Sequence, residues 1–237
     1  MKKIICENYD DVCRVTADIF ETQLTQKPNS IFGLATGSTP IGLYKELVKR
    51  TNDGKLDFSN AKAFNLDEYY PIKPSHPQSY KYFMDEHLFN HVNFASTHIP
   101  NGDASDPIAE CVEYDSAIET VGGIDLQLLG IGTNGHIGFN EPNSSYSVGT
   151  HLTDLTEDTL SANSRFFADA SEQPKTALTM GFGAIFAATH IVLVISGANK
   201  AKIANKLFEG KIYADVPASF LLLHPNVTLV INRDANS

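Results

Sequence analysis

Short apolar runs alternate with amphipathic stretches along the whole chain. Runs at Lys3–Cys6, Ile31–Ala35, Ala61–Leu66, Asp125–Leu129, Ile191–Ser196 and Val227–Ile231 have the length and composition of buried strands. The intervening pattern predicts helices over Tyr9–Leu24, Pro40–Lys49, Ser79–Phe89, Pro107–Thr120, Thr179–Ala187, Lys200–Phe208 and Pro217–Leu222. Apolar strands alternating with helices predict an α/β fold, a mostly parallel sheet with helices on both faces. Such a sheet binds ligands in the crevice outside the carboxyl ends of its strands, so the strand exits are where chemistry belongs. No repeat, low-complexity tract or linker interrupts the alternation, and the chain reads as a single domain over residues 1–237. One segment, around 143–174, is polar with ambiguous periodicity. It reads as either a lid over a site or a solvated loop.

Composition narrows the function classes. The 237 residues are 42% hydrophobic, enough for a substantial core, and no stretch approaches the roughly 18 apolar residues of a membrane span. The opening MKKIICENYDDV turns acidic too early for a signal peptide and reads as a first strand. Cys6, Cys13 and Cys111 form no close metal-type pair and read as reduced, buried thiols of a cytoplasmic protein. The net charge of −10, without any Lys- or Arg-rich run, argues against nucleic acid or an anionic membrane as partner. An anionic small molecule would have to be held by local basic side chains and backbone N–H groups.

Three strand exits carry candidate chemistry. In GLATGSTPIGLY, Thr36-Gly37-Ser38-Thr39 leads to Pro40 at a helix start. Small residues before a helix N-terminus suit an anion, most naturally phosphate, although the same string also fits a plain capped turn. It is not a Walker loop, which would need a Lys after the last glycine. In AFNLDEYYP, Asp67 and Glu68 are either solvated turn residues or, if one is held among aromatic side chains, a base of raised pKa. The third exit, LLGIGTNGHIGFNEP from Leu128 to Pro142, contains G-x-G-x-x-G at Gly130, Gly132 and Gly135. A dinucleotide fingerprint requires a helix to begin there, but Gly138 disfavours a helix and Pro142 biases Glu141 toward an extended conformation. The stretch therefore predicts an irregular loop presenting Asn134, His136 and Glu141. A His between glycines, followed by Glu five residues later, is an acid/base candidate oriented by a carboxylate. With no second His or Cys nearby, a metal site is not expected.

These strings, LGIGTNGHIGFNEP with NLDEYYP, GLATGSTP and ANSRFF, closely resemble the glucosamine-6-phosphate deaminase (NagB-type) family, in order along essentially the whole chain. The resemblance implies a modified Rossmann-like fold and conversion of D-glucosamine 6-phosphate and water to D-fructose 6-phosphate and ammonia, without a cofactor. It implies Asp67 as the base for enolisation and His136 as the ring-opening acid/base, supported by Asn134 and Glu141. Some relatives have Asp at the place of Asn134; an amide orients but carries no charge, which leaves Glu141 as the charged partner. The resemblance also assigns phosphate binding to Thr36, Gly37, Ser38 and Thr39 with Arg165 and Lys200, Arg165 falling within the polar segment.

Two other readings share this fold: a 6-phosphogluconolactonase-type hydrolase, and a non-catalytic sugar-phosphate sensor. The lactonase needs no carbon-acid base at Asp67 and lacks the FNEP continuation, while retention of Asp67, His136 and Glu141 together argues against a sensor. The motifs do not read the configuration at carbon 4, so the galactosamine epimer stays open. Longer relatives form hexamers activated by N-acetylglucosamine 6-phosphate through basic residues after FNEP. Here no Lys or Arg stands between Glu141 and Arg165, and His151 is the one potentially cationic side chain. The expectation is a monomer or small homo-oligomer with hyperbolic kinetics.

Overall fold

The computed structural model describes residues 1–164 and 173–236. In chain order it contains β1 (Lys2–Cys6), α1 (Tyr9–Gln26), β2 (Ile31–Leu34), α2 (Ile41–Asn52), β3 (Lys62–Asn65), β4 (Asp67–Tyr70), α3 (Tyr80–Met84), β5 (Ser96–His98), α4 (Pro107–Thr120) and β6 (Leu126–Leu129). It continues with β7 (His151–Asp154), α5 (Glu157–Ser164), β8 (Thr176–Thr179), α6 (Phe182–Ala187), β9 (His190–Ile195), α7 (Ala201–Phe208) and β10 (Val227–Asn232). Helix starts follow their caps. Asn8 accepts from the Asp11 N–H at α1, and Asp106 accepts from Ile108 and Ala109 at α4, with Pro107 in the first turn. Helix α3 runs on into one π-helical turn at Asp85–Phe89, and the Pro217–Leu223 stretch is 3₁₀ rather than α.

Seven strands form one sheet in the order β1-β10-β9-β6-β2-β3-β5, and every pairing is parallel. Successive side chains of a strand point to opposite faces, yet all four residues of β2 and of β6, and all six of β10, are buried. Both faces are therefore covered, as the apolar runs require. The chain order locates the crevice. From β2 the chain moves outward through β3 to β5, returns to β6 on the other side of β2, then moves the opposite way through β9 and β10. The direction reverses between β2 and β6, and their carboxyl ends flank the switch point where doubly wound sheets bind ligands.

The packing around β2 is aromatic and ionic. Phe20 of α1 stacks on Phe32 of β2 with centroids 5.0 Å apart, and Phe58 meets Phe32 edge-on. Helices α1 and α2 are tied by the buried Arg50, whose guanidinium contacts Asp18 (2.7 Å), Glu21 (2.7 Å) and Glu46 (2.9 Å). Each of its three nitrogens has a carboxylate partner, which offsets the cost of withdrawing the charge from water. Helix α2, and with it the loop after β2, is thereby seated on α1.

A second, antiparallel sheet of order β4-β8-β7 was not anticipated from the sequence. Its pairs include Asp67 with Thr179 and His151 with Thr179. The helix expected over Thr179–Ala187 is corrected accordingly: Thr176–Thr179 is a strand, and the helix starts at Phe182. The break lies at Gly181, where a Cβ would sit 2.2 Å from the Gly149 carbonyl oxygen. There the N–H groups of Phe182 and Gly183 donate to the carbonyls of Ser147 and Val148, which replaces a side-chain cap. Among the described residues no helix is long and apolar enough to cross a membrane, and Cys6, Cys13 and Cys111 are buried and unpaired.

Candidate active site

A cavity of about 380 Å³ opens at the switch point. Its lining includes Thr36–Thr39 from the β2 exit, Asp67 from the start of β4, Asn134 and His136 from the β6 exit, and Lys200 before α7. Residues separated in sequence by as much as the span from Thr36 to Lys200 thus share one hollow, because each follows a strand of the same sheet or borders it.

The β6 exit does not begin a helix, so the glycine pattern serves another purpose than holding a dinucleotide. Gly132 N–H donates to the His136 carbonyl (2.9 Å), and Gly135 N–H donates to the Gly132 carbonyl (3.0 Å). A Cβ at Gly132 would lie 2.4 Å from the His136 ring, so glycine is needed there for the imidazole to fold onto the loop. Gly138, at φ +59°, brings the loop against β4: a Cβ there would lie 3.4 Å from Asp67 Oδ2 and 3.0 Å from Thr179 Oγ1. This close approach brings the His136 loop and Asp67 together.

Behind His136 stands a charged hydrogen-bond cluster. Glu141 Oε2 faces His136 Nδ1 at 3.2 Å and accepts from Asn134 Nδ2 at 2.7 Å, while Asn134 Oδ1 accepts from the His136 N–H at 3.1 Å. Thr159 of α5 donates its hydroxyl to Glu141 Oε1 at 2.5 Å. Burial would raise the Glu141 carboxyl, but the bonds to His136, Thr159 and Asn134 prevail and hold it at about 2. An ionised carboxylate opposite Nδ1 selects the Nδ1–H tautomer. Nε2, which has no partner among the described residues, is then free to exchange a proton.

Asp67 is the opposite case. It is 6% exposed, and among the described residues nothing donates a hydrogen bond to its carboxyl. Burial, and secondarily the neighbouring Glu68, push it up to about 8. Glu68 is itself buried but accepts from the backbone N–H groups of Tyr69 (2.9 Å), Tyr80 (2.8 Å) and Lys81 (2.9 Å). Burial drives the Glu68 carboxyl up to about 7 against those three donors, which Asp67 lacks. The Glu68 bonds also strap β4 to the first turn of α3, fixing Tyr80 in the cavity wall, where its ring stacks on Phe139 at 6.0 Å.

At the β2 exit, Gly37 has φ +95°, the left-handed region that glycine adopts without strain, and a Cβ there would meet nothing within 4 Å. The loop therefore turns sharply with its face open, just ahead of the N–H groups of α2. Lys200 ends a 3₁₀ turn (Ala198–Lys200), lines the same cavity and has no acidic partner among the described residues; burial lowers its ammonium pKa.

Of the sequence candidates, Thr36, Gly37, Ser38, Thr39, Asp67, Asn134, His136 and Lys200 line the cavity, and Glu141 sits one hydrogen bond behind His136. Arg165 lies outside the described residues. Sequence reading did not find Thr159 and Tyr80, which occur in no chemical motif and reach the site only through tertiary packing. Among the described residues no group of three or more His, Cys, Asp or Glu is arranged to hold a metal ion.

A cavity at the switch point with an unpaired buried carboxyl, a His–Glu pair and a small-residue loop before a helix has the groups that acid/base chemistry on an anionic molecule would use. The profile of the glucosamine-6-phosphate isomerases/6-phosphogluconolactonase family matches residues 7–230, and the chain belongs to that family. It is 51% identical to a glucosamine-6-phosphate deaminase of Thermoanaerobacter pseudethanolicus, covering 100% of this chain and 94% of that protein. It is 47% identical to that of Clostridium perfringens strain 13, over 99% and 98% of the two. A solved monomeric glucosamine-6-phosphate deaminase superposes with a TM-score of 0.96 at 42% identity, covering 100% of this chain and 99% of that one. The 6-phosphogluconolactonase of Thermotoga maritima shares the fold, with a TM-score of 0.78 at 19% identity over 98% and 99% of the two chains.

Proposed function

We infer that this chain is a glucosamine-6-phosphate deaminase, converting D-glucosamine 6-phosphate and water to D-fructose 6-phosphate and ammonia. The observation that carries this reading is the pairing, in one cavity, of a carboxyl raised to about 8 with a His–Glu pair whose carboxylate stays charged. A proton on carbon needs a stronger base than an ordinary carboxylate, and a base held near neutrality meets that need.

The chemistry divides between the two groups. His136 moves the anomeric hydroxyl proton to the ring oxygen, which opens the sugar to the aldehyde. Asp67, as carboxylate, takes the proton from carbon 2, leaving an enolamine across carbons 1 and 2. It returns that proton to carbon 1, which generates the iminium at carbon 2. Water adds there, and carbon–nitrogen cleavage releases ammonia and leaves the ketose. Glu141 stabilises His136 whenever the ring is protonated, and Asn134 orients both without adding charge. The phosphate is received by Thr36–Thr39 and the α2 N-terminus, with Lys200 and Arg165 supplying positive charge. The lid role expected of the segment 143–174 falls to its part outside β7, which is held in the antiparallel sheet, and is supported by the bond from Thr159 to Glu141.

Residues 1–237 act as one domain, and the enzyme works as a monomer or small homo-oligomer in the cytoplasm, in keeping with its three unpaired buried thiols. The test is coupled detection of both products. Purified protein given glucosamine 6-phosphate should release ammonia and fructose 6-phosphate in equal amounts and should leave 6-phosphogluconolactone untouched. Lactone hydrolysis without ammonia release would overturn the reading in favour of the hydrolase, and binding without turnover of either would favour a sensor.

A further inference from the structure

Tyr9 belongs to none of the chemical motifs, yet its side chain reaches the β2-exit loop. As the first residue of α1, it donates its phenolic O–H to the Thr39 carbonyl (2.8 Å), with the Ser38 carbonyl at 3.3 Å, and accepts from the Gly42 N–H (2.9 Å). Two local facts explain why the loop depends on this contact. Helix α2 begins after Pro40, which has no side-chain cap, so Tyr9 supplies from another helix the acceptor that a Ser or Asp would supply locally. At Gly42 a Cβ would lie 2.5 Å from Cys13 Sγ and 2.9 Å from the Tyr9 hydroxyl, so only glycine lets α1 come this close. Burial is the main cause raising the Tyr9 phenol to about 12, which keeps it a neutral donor at working pH. The wall behind the loop, formed by Val12, Cys13 and Leu128, leaves a void of only about 10 Å³, too little for the loop to retreat into.

We propose that Tyr9 is a positioning residue, clamping the junction of Ser38–Thr39 with α2 in the shape that receives the substrate phosphate. Tyr9 takes the Gly42 N–H for itself and pins two carbonyls away from the anion, which leaves the remaining N–H groups of the junction facing it. This rests on the reading of Thr36–Thr39 as the phosphate loop. The clamp acts on the end of the substrate remote from the reacting carbons, and binding there is shared by ground and transition states, so it governs KM rather than kcat.

Steady-state kinetics of Tyr9→Phe in the full chain test it, with Lys200→Ala measured alongside and inorganic phosphate as competing ligand. Losing one buried hydrogen-bonded junction should raise KM for glucosamine 6-phosphate and the inhibition constant of phosphate about five- to tenfold. kcat should stay within about twofold, and the thermal midpoint should stay near wild type. Gly42→Ala, which displaces the phenol, should show the same split. A fall in kcat with unchanged KM overturns the clamp, as does unchanged phosphate inhibition in Tyr9→Phe while Lys200→Ala weakens it. If neither variant alters phosphate inhibition, the phosphate-loop reading fails and the clamp with it.

Discussion

The two carboxyl groups that serve this site, Asp67 at the start of β4 and Glu141 behind the β6-exit loop, are both largely withdrawn from water, yet they sit at opposite ends of the carboxylate range. Asp67 has no hydrogen-bond donor among the described residues and a carboxylate neighbour in Glu68, and it rises to about 8. Glu141 faces His136 and takes bonds from Asn134 and Thr159, and it falls to about 2. Burial alone does not set the outcome: three backbone donors still leave buried Glu68 raised to about 7, whereas Glu141 also faces the ionisable ring of His136. On the function proposed above, the difference divides the work. A carboxyl with nothing to stabilise its charge is a good base, whereas one that is fully satisfied is a permanent counter-charge and a poor base.

Removing the base should break the comparison most severely. Asp67→Asn is expected to lower kcat roughly a hundredfold or more, as for loss of a positioned general base, while a ligand-induced rise in thermal midpoint shows that sugar phosphate still binds. The same substitution bears on stability. Because the folded pKa of Asp67 lies above its unfolded value, the wild type loses stability as pH rises through about 8. The neutral Asn escapes that loss, so the variant should melt higher than wild type at alkaline pH. Near-normal turnover would remove Asp67 from the mechanism.

Neutralising the other carboxyl should cost less activity and reverse the pH sign. Glu141→Gln keeps the shape but leaves protonated His136 without its counter-charge, and a drop in kcat of roughly ten- to a hundredfold is expected. Glu141 is depressed in the fold, so its stabilisation is present above its ordinary value of 4.5 and is lost as pH falls through about 2. Acid titration of the melting temperature should therefore be steeper for wild type than for Glu141→Gln between those limits. Parallel curves would show that the Glu141 charge is not held by the fold.

Glu68→Gln sharpens the contrast from the side of Asp67. Removing the adjacent negative charge should shift the rise of kcat/KM with pH to lower pH, since the base loses one of the two causes that raise it. The phenols of Tyr44, Tyr80 and Tyr114 also surround Asp67, but all are pushed above their ordinary value and stay neutral, so Glu68 is the neighbour that titrates in range. A profile unchanged from wild type would leave burial as the sole cause. The smallest effect expected is none: N-acetylglucosamine 6-phosphate should leave the rate-against-substrate curve hyperbolic and unshifted, because the residues after Glu141 carry no fixed positive charge before Arg165.

Six of the seven strands of the parallel sheet were legible in the sequence as apolar runs, each correct to within a residue or two, whereas the edge strand β5 (STH), short, polar and only partly buried, showed no such run and was missed. The antiparallel sheet was not legible. Strand β7 (HLTD) is only partly buried and β4 (DEYY) follows β3 after a single residue, so neither shows an apolar run or a clean alternation. In β8, TALT merges with the apolar residues of α6, where periodicity cannot separate strand from helix. The site divides the same way. Asp67, His136 and Glu141 stand in compact motifs whose spacing carries their chemistry. Thr159, Tyr80 and Tyr9 act through contacts made by residues far apart in the chain, and no local pattern announces them.

Carbon-13 NMR of protein labelled at the Asp and Glu carboxyl carbons, titrated from acid to alkaline pH, tests the division of labour most directly. Asp67→Asn and Glu141→Gln serve to assign the two resonances. The expected result is one carboxyl that titrates near 8 and vanishes in Asp67→Asn, and another that stays ionised down to about 2 and vanishes in Glu141→Gln. Titration of both groups near 4, the ordinary carboxylate range, would contradict the account.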